Sequence, residues 1–139
     1  MKVFIDTNIF LDTLLKREPF KHSAEKLLNL CDEGVFSAFT SCVSFINVTY
    51  FLQRFNKTAY TESLEKILNT ISIIPLENKD FKKAIAFGFS DTEDAYQYAA
   101  ALKVKDIEYI ITRNIRDFNK SSIPAISAKD FLVQYASSL

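Results

Sequence analysis

Short apolar runs alternate with segments of helical periodicity along the chain. Residues 3–5 form an apolar run that stops at a polar trio, which predicts a buried strand followed by a loop. Further strands are predicted over residues 35–40, 71–75 and 109–111, with residues 123–126 as an edge strand. The segments between them carry apolar residues three and four positions apart, as amphipathic helices do. Strands and helices therefore alternate.

The residues that bound the predicted helices are typical starts and stops. A helix that follows Pro19 ends at Gly34, Ser41 caps the next, and Gly88 separates two others, the second of which opens at Ser90. Further helices are predicted over residues 9–14, 61–69, 79–87 and from residue 128. This order favours an α/β fold, a three-layer α/β/α sandwich around a mostly parallel central sheet.

Length and composition are those of one ordinary globular domain. The chain has 139 residues, of which 48% are hydrophobic and 24% charged, and no linker, repeat or low-complexity segment divides it. We expect a single domain over residues 1–139. The sequence has neither a signal-peptide pattern nor an apolar run long enough to span a bilayer, so we expect a cytoplasmic protein without a membrane partner.

Several classes of chemistry lack the residues that they need. The only histidine is His22, and the two cysteines, Cys31 and Cys42, have no paired metal-ligand spacing, which excludes a zinc site and a histidine-activated nucleophile. Two glycines cannot form a glycine-rich phosphate loop. The formal net charge is zero, so any nucleic-acid site must be local.

Polar residues follow two of the predicted strands directly. Ligands of parallel sheets bind beyond the carboxyl ends of strands, where this chain places Asp6 and the segment 112–117. Residues 6–8 could also serve as a helix cap, and the spacing alone leaves both interpretations open. Asp12 is interpreted as a solvated helix position and is left outside the site.

A second acidic segment opens the helix after Gly88. Residues 90–93 match a capping box, in which Ser90 bonds forward and Glu93 reaches back. Asp94 lies one turn further, on the apolar stripe, where its carboxylate would be costly to desolvate without a cation. Asp91 is three residues earlier on the same helix face and is a candidate auxiliary ligand. Oxygen ligands of this kind suit Mg²⁺ or Mn²⁺.

Taken together, these segments resemble PIN-domain proteins, particularly the bacterial VapC-like toxins. The resemblance covers nearly the whole chain, and the order and separation of its three motifs are more specific than any one of them. The motifs lie at residues 6–8, at residues 91–95 followed by three alanines at 99–101, and at residues 111–114 with Asp117 and Phe118.

The resemblance implies an Mg²⁺- or Mn²⁺-dependent endoribonuclease whose products carry a 5′-phosphate and a 3′-hydroxyl. Asp6 and Asp94 would be the principal metal ligands, with Asp117, Asn114 or both at the fourth position. Thr112 would orient the site, and Asn8 beside Asp6 would support it.

The resemblance also implies partners: an RNA substrate, a homodimer, and a cognate antitoxin whose segment fills the groove and blocks the metal site. Arg113 and Arg116 are expected to bind phosphates of the RNA, although Arg116 is equally compatible with a solvated surface charge. A second basic cluster is better explained as solvated helix ends. It comprises Lys16, Arg17, Lys21 and His22.

One position departs from the family pattern. Where the family usually has a glutamate on the helix after the second strand, this chain has Asn47, which contributes a neutral oxygen. Either Asp91 or Glu93 restores the missing charge, or Asn47 has only a structural role. The departure supports an alternative function, a catalytically weakened PIN-fold module that binds RNA or protein. A third possible function, a phosphohydrolase of the haloacid-dehalogenase type, is disfavoured because that class needs an acid at the position where this chain has Asn8.

Overall fold

A parallel β-sheet forms the centre of the computed structural model, which describes residues 1–55 and 58–138. Residues 56, 57 and 139, which the predicted domain includes, lie outside the described residues. The strands are β1 (Lys2–Ile5), β2 (Ser37–Ser41), β3 (Ser72–Ile74), β4 (Ile107–Ile111) and β5 (Ala125–Ile126). They lie in the order β3-β2-β1-β4-β5, and every pairing is parallel, which confirms the predicted fold class.

Helices cover both faces of this sheet. They are α1 (Thr7–Leu14), α2 (Lys21–Asp32), α3 (Cys42–Phe55), α4 (Tyr60–Thr70), α5 (Asn78–Ala86), α6 (Thr92–Leu102) and α7 (Ala128–Ser138). A short 3₁₀ turn, Ile115–Phe118, was not predicted. Among the described residues, we find no helix whose length and apolar character would let it span a bilayer.

Residues 3–5 of the central strand β1 are apolar because both faces of the strand are covered. Val3 and Ile5 point into one core cluster, which includes residues of α1, α2 and α7, whereas Phe4 packs in a second cluster with Tyr98 and Ile110. The side chains of Val3, Phe4 and Ile5 are fully buried. Each such burial stabilises the fold by about 2 kcal/mol, so the position of β1 is firmly determined.

The strand order places the end of β1 at the point where the chain changes direction across the sheet. The chain runs from β1 to β2 and β3 on one side, then crosses to β4 and β5 on the other. The switch point therefore lies between β1 and β4, where ligands of open parallel sheets bind. The backbone N–H of Asp6 donates to the carbonyl of Ile111 at 3.0 Å, which joins the two strand ends.

The predicted capping box at the start of α6 is wrong. The helix begins at Thr92 rather than at Ser90, and its cap is Asp91, whose Oδ1 accepts the N–H of Glu93 at 2.9 Å. The side chain of Glu93 does not reach back to the start of the helix but contacts α3. Asp91 is the better cap here because its short carboxylate sits directly before the first turn and faces the positive end of the helix.

Candidate metal centre

The carboxylate of Asp6 lies at the carboxyl end of β1 and is held by three donors. Its Oδ1 accepts the N–H of Thr7 at 2.7 Å, and its Oδ2 accepts the Thr112 hydroxyl at 2.7 Å and the Asn8 amide at 3.3 Å. Asp6 is only 3% exposed. It does cap α1, as one interpretation of the sequence expected, but burial and the additional donors exceed what a cap requires.

Thr112 and Asn8 connect Asp6 to the loop after β4. The Thr112 hydroxyl accepts the N–H of Asn114 at 2.9 Å while donating to Asp6, and the side-chain oxygen of Asn8 accepts the N–H of Arg113 at 3.3 Å. Thr112 is fully buried. The two side chains thus fix both the carboxylate and the backbone that follows β4.

Asp94 lies in the first turn of α6 with one oxygen unsatisfied. The residue is 6% exposed, and its Oδ2 is the only buried side-chain oxygen or nitrogen without a hydrogen-bond partner among the described residues. Burial raises the pKa of Asp94 to about 8, and the charges of Asp6, Asp91 and Asp117, with a side-chain hydrogen bond to Asp117, add to the rise. An ionised Asp94 would be stabilised by a cation at its free oxygen.

Asp6 has a raised pKa for the same physical reasons. Burial is the largest cause, and the charges of Glu93 and Asp91 add to it, while the hydrogen bonds from Thr112 and Thr7 act in the opposite direction. The acidic side chains therefore repel one another across a shared space. Such repulsion is what a divalent cation relieves when it binds.

The donor chemistry of this cluster fits a hard divalent cation. Its side chains offer oxygen ligands only, as Mg²⁺ and Mn²⁺ prefer. In the described part of the chain, no three acidic, cysteine or histidine side chains stand close enough to ligate one ion directly. Mg²⁺ is commonly held by one or two carboxylates and several waters, and the arrangement is compatible with that mode.

Asp117 is the acid of the 3₁₀ turn and faces the cluster. It is half-buried, and its charge contributes to the raised pKa of Asp94. Asn114 is exposed, and its backbone N–H is the group that contacts Thr112. Of the two candidates for the fourth position, Asp117 is thus the one whose charge acts on Asp94. Arg116 lies beside it and is exposed.

Arg113 forms a bidentate ion pair with Asp12. Its Nε and Nη2 donate to the two carboxylate oxygens at 2.7 and 2.9 Å, and its guanidinium stacks over the ring of Phe20 at 4.1 Å. Asp12 is fully buried, so its interpretation as a solvated helix position is wrong. Three of the five guanidinium hydrogens remain for other acceptors, but the group itself is engaged with Asp12 rather than free to follow a phosphate.

Asn47 lies in α3 and contacts the acidic end of α6. Its Nδ2 donates to Oε1 of Glu93 at 2.5 Å. Burial and the charge of Asp91 raise the pKa of Glu93, whereas the hydrogen bond from Asn47 lowers it. Asn47, which departs from the family pattern, is thus hydrogen-bonded to the carboxylate of Glu93 on the neighbouring helix α6.

A buried polar network behind the cluster was missed by the sequence analysis. Gln97 is 1% exposed, donates to the hydroxyls of Ser44 at 2.6 Å and Thr7 at 3.2 Å, and accepts the hydroxyl of Ser41. It ties α6 to α1 and to the start of α3. Its position three residues after Asp94, on the apolar stripe, was the available signal, because a buried amide needs partners.

Comparison with known proteins identifies the family of the chain and finds structures with a similar fold. The model of the family described as PIN domain matches residues 2–116. The structure is similar to that of VapBC2 from Rickettsia felis bound to a promoter DNA fragment, with a TM-score of 0.65 and 15% identity over 91% of this chain and 98% of that chain. It is also similar to a toxin-antitoxin complex from Klebsiella pneumoniae, with a TM-score of 0.64 and 22% identity over 91% and 97%. No curated protein matches the sequence.

Proposed function

Because the chain belongs to the PIN domain family of nuclease-type hydrolases, we propose that it is a metal-dependent endoribonuclease and the toxin of a toxin–antitoxin pair. The observation that carries the proposal is the buried, unpartnered Oδ2 of Asp94, which lies among the charges of three other carboxylates. A cation is the partner that such an oxygen lacks.

Asp6, Asp94 and Asp117 would hold Mg²⁺ or Mn²⁺, with Asp91 as an auxiliary group. When bound, the ion supplies a water nucleophile of lowered pKa and neutralises charge that develops on the phosphate. Thr112 and Asn8 keep Asp6 oriented toward that site.

The reaction is hydrolysis of an RNA phosphodiester bond. The oxygen of water forms a bond to phosphorus while the bond from phosphorus to the 3′ oxygen breaks. The 3′ oxygen takes up a proton, the attacking water loses one, and the products carry a 5′-phosphate and a 3′-hydroxyl. Arg116, exposed beside Asp117, is placed to contact a neighbouring phosphate. Arg113 contributes by fixing the loop, since its guanidinium is paired with Asp12.

The partner we propose is an antitoxin, with the toxin acting in the cytoplasm as a homodimer. The support for the antitoxin comes from the two similar structures, one of VapBC2 and the other a toxin-antitoxin complex. The homodimer and the cytoplasmic location are expectations from the sequence. An antitoxin segment that covers the acidic cluster would block access of RNA to it.

Cleavage of labelled RNA tests the activity. With Mg²⁺ or Mn²⁺, we expect the wild-type protein to cleave RNA. The variants Asp6→Asn and Asp94→Asn should cleave it at least about a hundredfold more slowly. Glu65→Gln, an exposed acid on α4, is the matched control and should cut normally. Unchanged cleavage by Asp94→Asn would reject the site.

The second candidate is a PIN-fold module that binds RNA or protein without cutting. The neutral Asn47 favours it, because one fewer ligand charge weakens the attraction for a cation. Wild-type protein that is inactive with both metals on a broad RNA panel, and does not arrest growth when expressed, would support this candidate over the nuclease.

A further inference from the structure

We propose that Gln97 is a positioning residue of the metal centre, because it fixes the segments that carry Asp6 and Asp94 relative to each other. The inference rests on the proposed function, since it concerns the same two carboxylates. Neither the spacing of residues nor the family resemblance singled out Gln97. Its buried amide lies behind the acids, so it acts through them rather than on the metal or the RNA.

The amide of Gln97 has hydrogen-bond partners on three other elements of the fold. Its Nε2 donates to the hydroxyl oxygens of Ser44 at 2.6 Å and Thr7 at 3.2 Å, which uses both amide hydrogens. Its Oε1 accepts the hydroxyl hydrogen of Ser41. Because the side chain is buried, water does not compete for these contacts. Directional contacts therefore join α6 to the last residue of β2, to α3 and to the first residue of α1.

The contact with Thr7 extends to Asp6. The backbone N–H of Thr7 donates to Oδ1 of Asp6 at 2.7 Å. The hydroxyl of the same residue donates to Ser44 at 2.9 Å and accepts from Gln97, so it is held from two sides. Since the hydroxyl and the N–H belong to one residue, holding the hydroxyl limits the movement of the N–H that Asp6 accepts.

Gln97 also lies one turn beyond Asp94 on the same face of α6. Residues three positions apart on a helix are neighbours, so fixing Gln97 restricts the position of Asp94 as well. Much of the remaining buried surface of this helix consists of alanines, at residue 95 and residues 99–101. Contacts of small apolar side chains have no preferred direction, whereas hydrogen bonds are directional. Gln97 therefore helps to determine where α6 presents Asp94 relative to Asp6.

The test is Mn²⁺ binding to the full-length protein, measured by calorimetry at pH 7.5. Gln97→Met keeps the length of the side chain but removes its hydrogen bonds, and we expect it to weaken binding about tenfold, as the loss of an indirect partner of a metal ligand does. Lys103→Met is the matched control, because it removes the ion pair with Asp80 at the other end of α6. It loosens the same helix without touching Thr7 and should bind Mn²⁺ like wild type. Melting temperatures in chelator establish that both variants are folded during the titration.

Two variants of Thr7 test the contact from the side of α1, and they keep the test decisive if Gln97→Met does not fold. Thr7→Val removes the hydroxyl but keeps the N–H that donates to Asp6, and it should also weaken Mn²⁺ binding. Thr7→Ser retains the hydroxyl and should bind like wild type. Because both substitutions break one contact, the double variant Gln97→Met with Thr7→Val should lose less affinity than the product of the two single losses.

The outcomes separate this inference from the proposed function. Wild-type Mn²⁺ affinity in Gln97→Met or in Thr7→Val, together with lost binding in Asp94→Asn, would overturn the role of Gln97 and leave the metal centre in place. An equal loss in Lys103→Met would also overturn it, because loosening of α6 would then explain the effect. Wild-type affinity in Asp94→Asn would instead reject the metal centre itself.

Discussion

Thr112 donates its hydroxyl hydrogen to Oδ2 of Asp6 across 2.7 Å, although 106 residues separate the two in the chain. Both side chains are buried, so water does not compete for either partner. The hydrogen bond lowers the pKa of Asp6, in opposition to the rise that burial produces. Thr112 thereby helps to keep Asp6 ionised and oriented.

Replacing Thr112 with valine removes that hydroxyl while keeping the shape of the side chain. We expect Thr112→Val to lower the free energy of unfolding by about 1–2 kcal/mol, because buried acceptors lose a donor. We also expect the acidic limb of the rate profile for RNA cleavage to move to higher pH, since Asp6 would ionise less readily. Thr112→Ser retains the hydroxyl and should leave the pH profile in place, although the loss of a buried methyl group lowers stability slightly. A profile that does not move in Thr112→Val would contradict this role.

Asp94→Asn should stabilise the metal-free protein, and increasingly so at higher pH. The carboxyl has a pKa of about 8 when folded and 3.8 when free, so the folded state holds a proton that the unfolded state has lost between those values. The contribution of Asp94 to stability is therefore full below about pH 4 and declines as pH rises to 8. The contribution of an asparagine at this position does not change with pH, because its side chain does not ionise.

Thermal melts in chelator provide the measurement. At pH 8.5, Asp94→Asn should melt about 3 °C or more above wild type, and at pH 4 the difference should be small. Added Mg²⁺ should raise the melting temperature of wild type but not of the variant. An equal difference at both pH values would show that the charge of Asp94 is not responsible.

The Asp12–Arg113 ion pair should be important for stability. Arg113→Met leaves the fully buried Asp12 without its partner and should lower the free energy of unfolding by about 3 kcal/mol in urea titrations. The double variant with Asp12→Leu should recover part of that loss. If Arg113→Met folds as stably as wild type and only weakens RNA binding, the arginine serves the phosphate instead.

A second ion pair gives a pH dependence of opposite sign. Lys103 lies 2.8 Å from Asp80 and is the largest cause of the lowered pKa of that carboxyl. The ion pair stabilises the folded protein at pH values above the pKa that Asp80 has in the unfolded chain. This stabilisation is lost as the pH falls through the lower pKa that Asp80 has in the folded protein. Lys103→Met should therefore be less stable than wild type at pH 7, and the two should converge in acid, as chemical unfolding at pH 7 and pH 3 would reveal.

The sequence predicted those features whose causes are local. β1 and the location of Asp6 follow from an apolar run and the residue after it, and the family motifs extended this to Asp94 and Asp117. The interpretation of Asp12 was wrong because its partner Arg113 lies 101 residues away. The capping box at Glu93 was wrong for the same reason, since Asn47 is 46 residues distant. Composition and periodicity carry no signal for such pairs.

The central position of β1 has a consequence for biosynthesis. Of the five strands of the sheet, β1 is translated first and must later pair with β4, and the parallel pairing of Val3 with Tyr109 joins residues far apart in the chain. Contacts of such long range form late. A nascent chain that ends before residue 112 carries Asp6 but neither Thr112 nor Asp117, so the proposed metal centre cannot be completed until residue 117 has been translated.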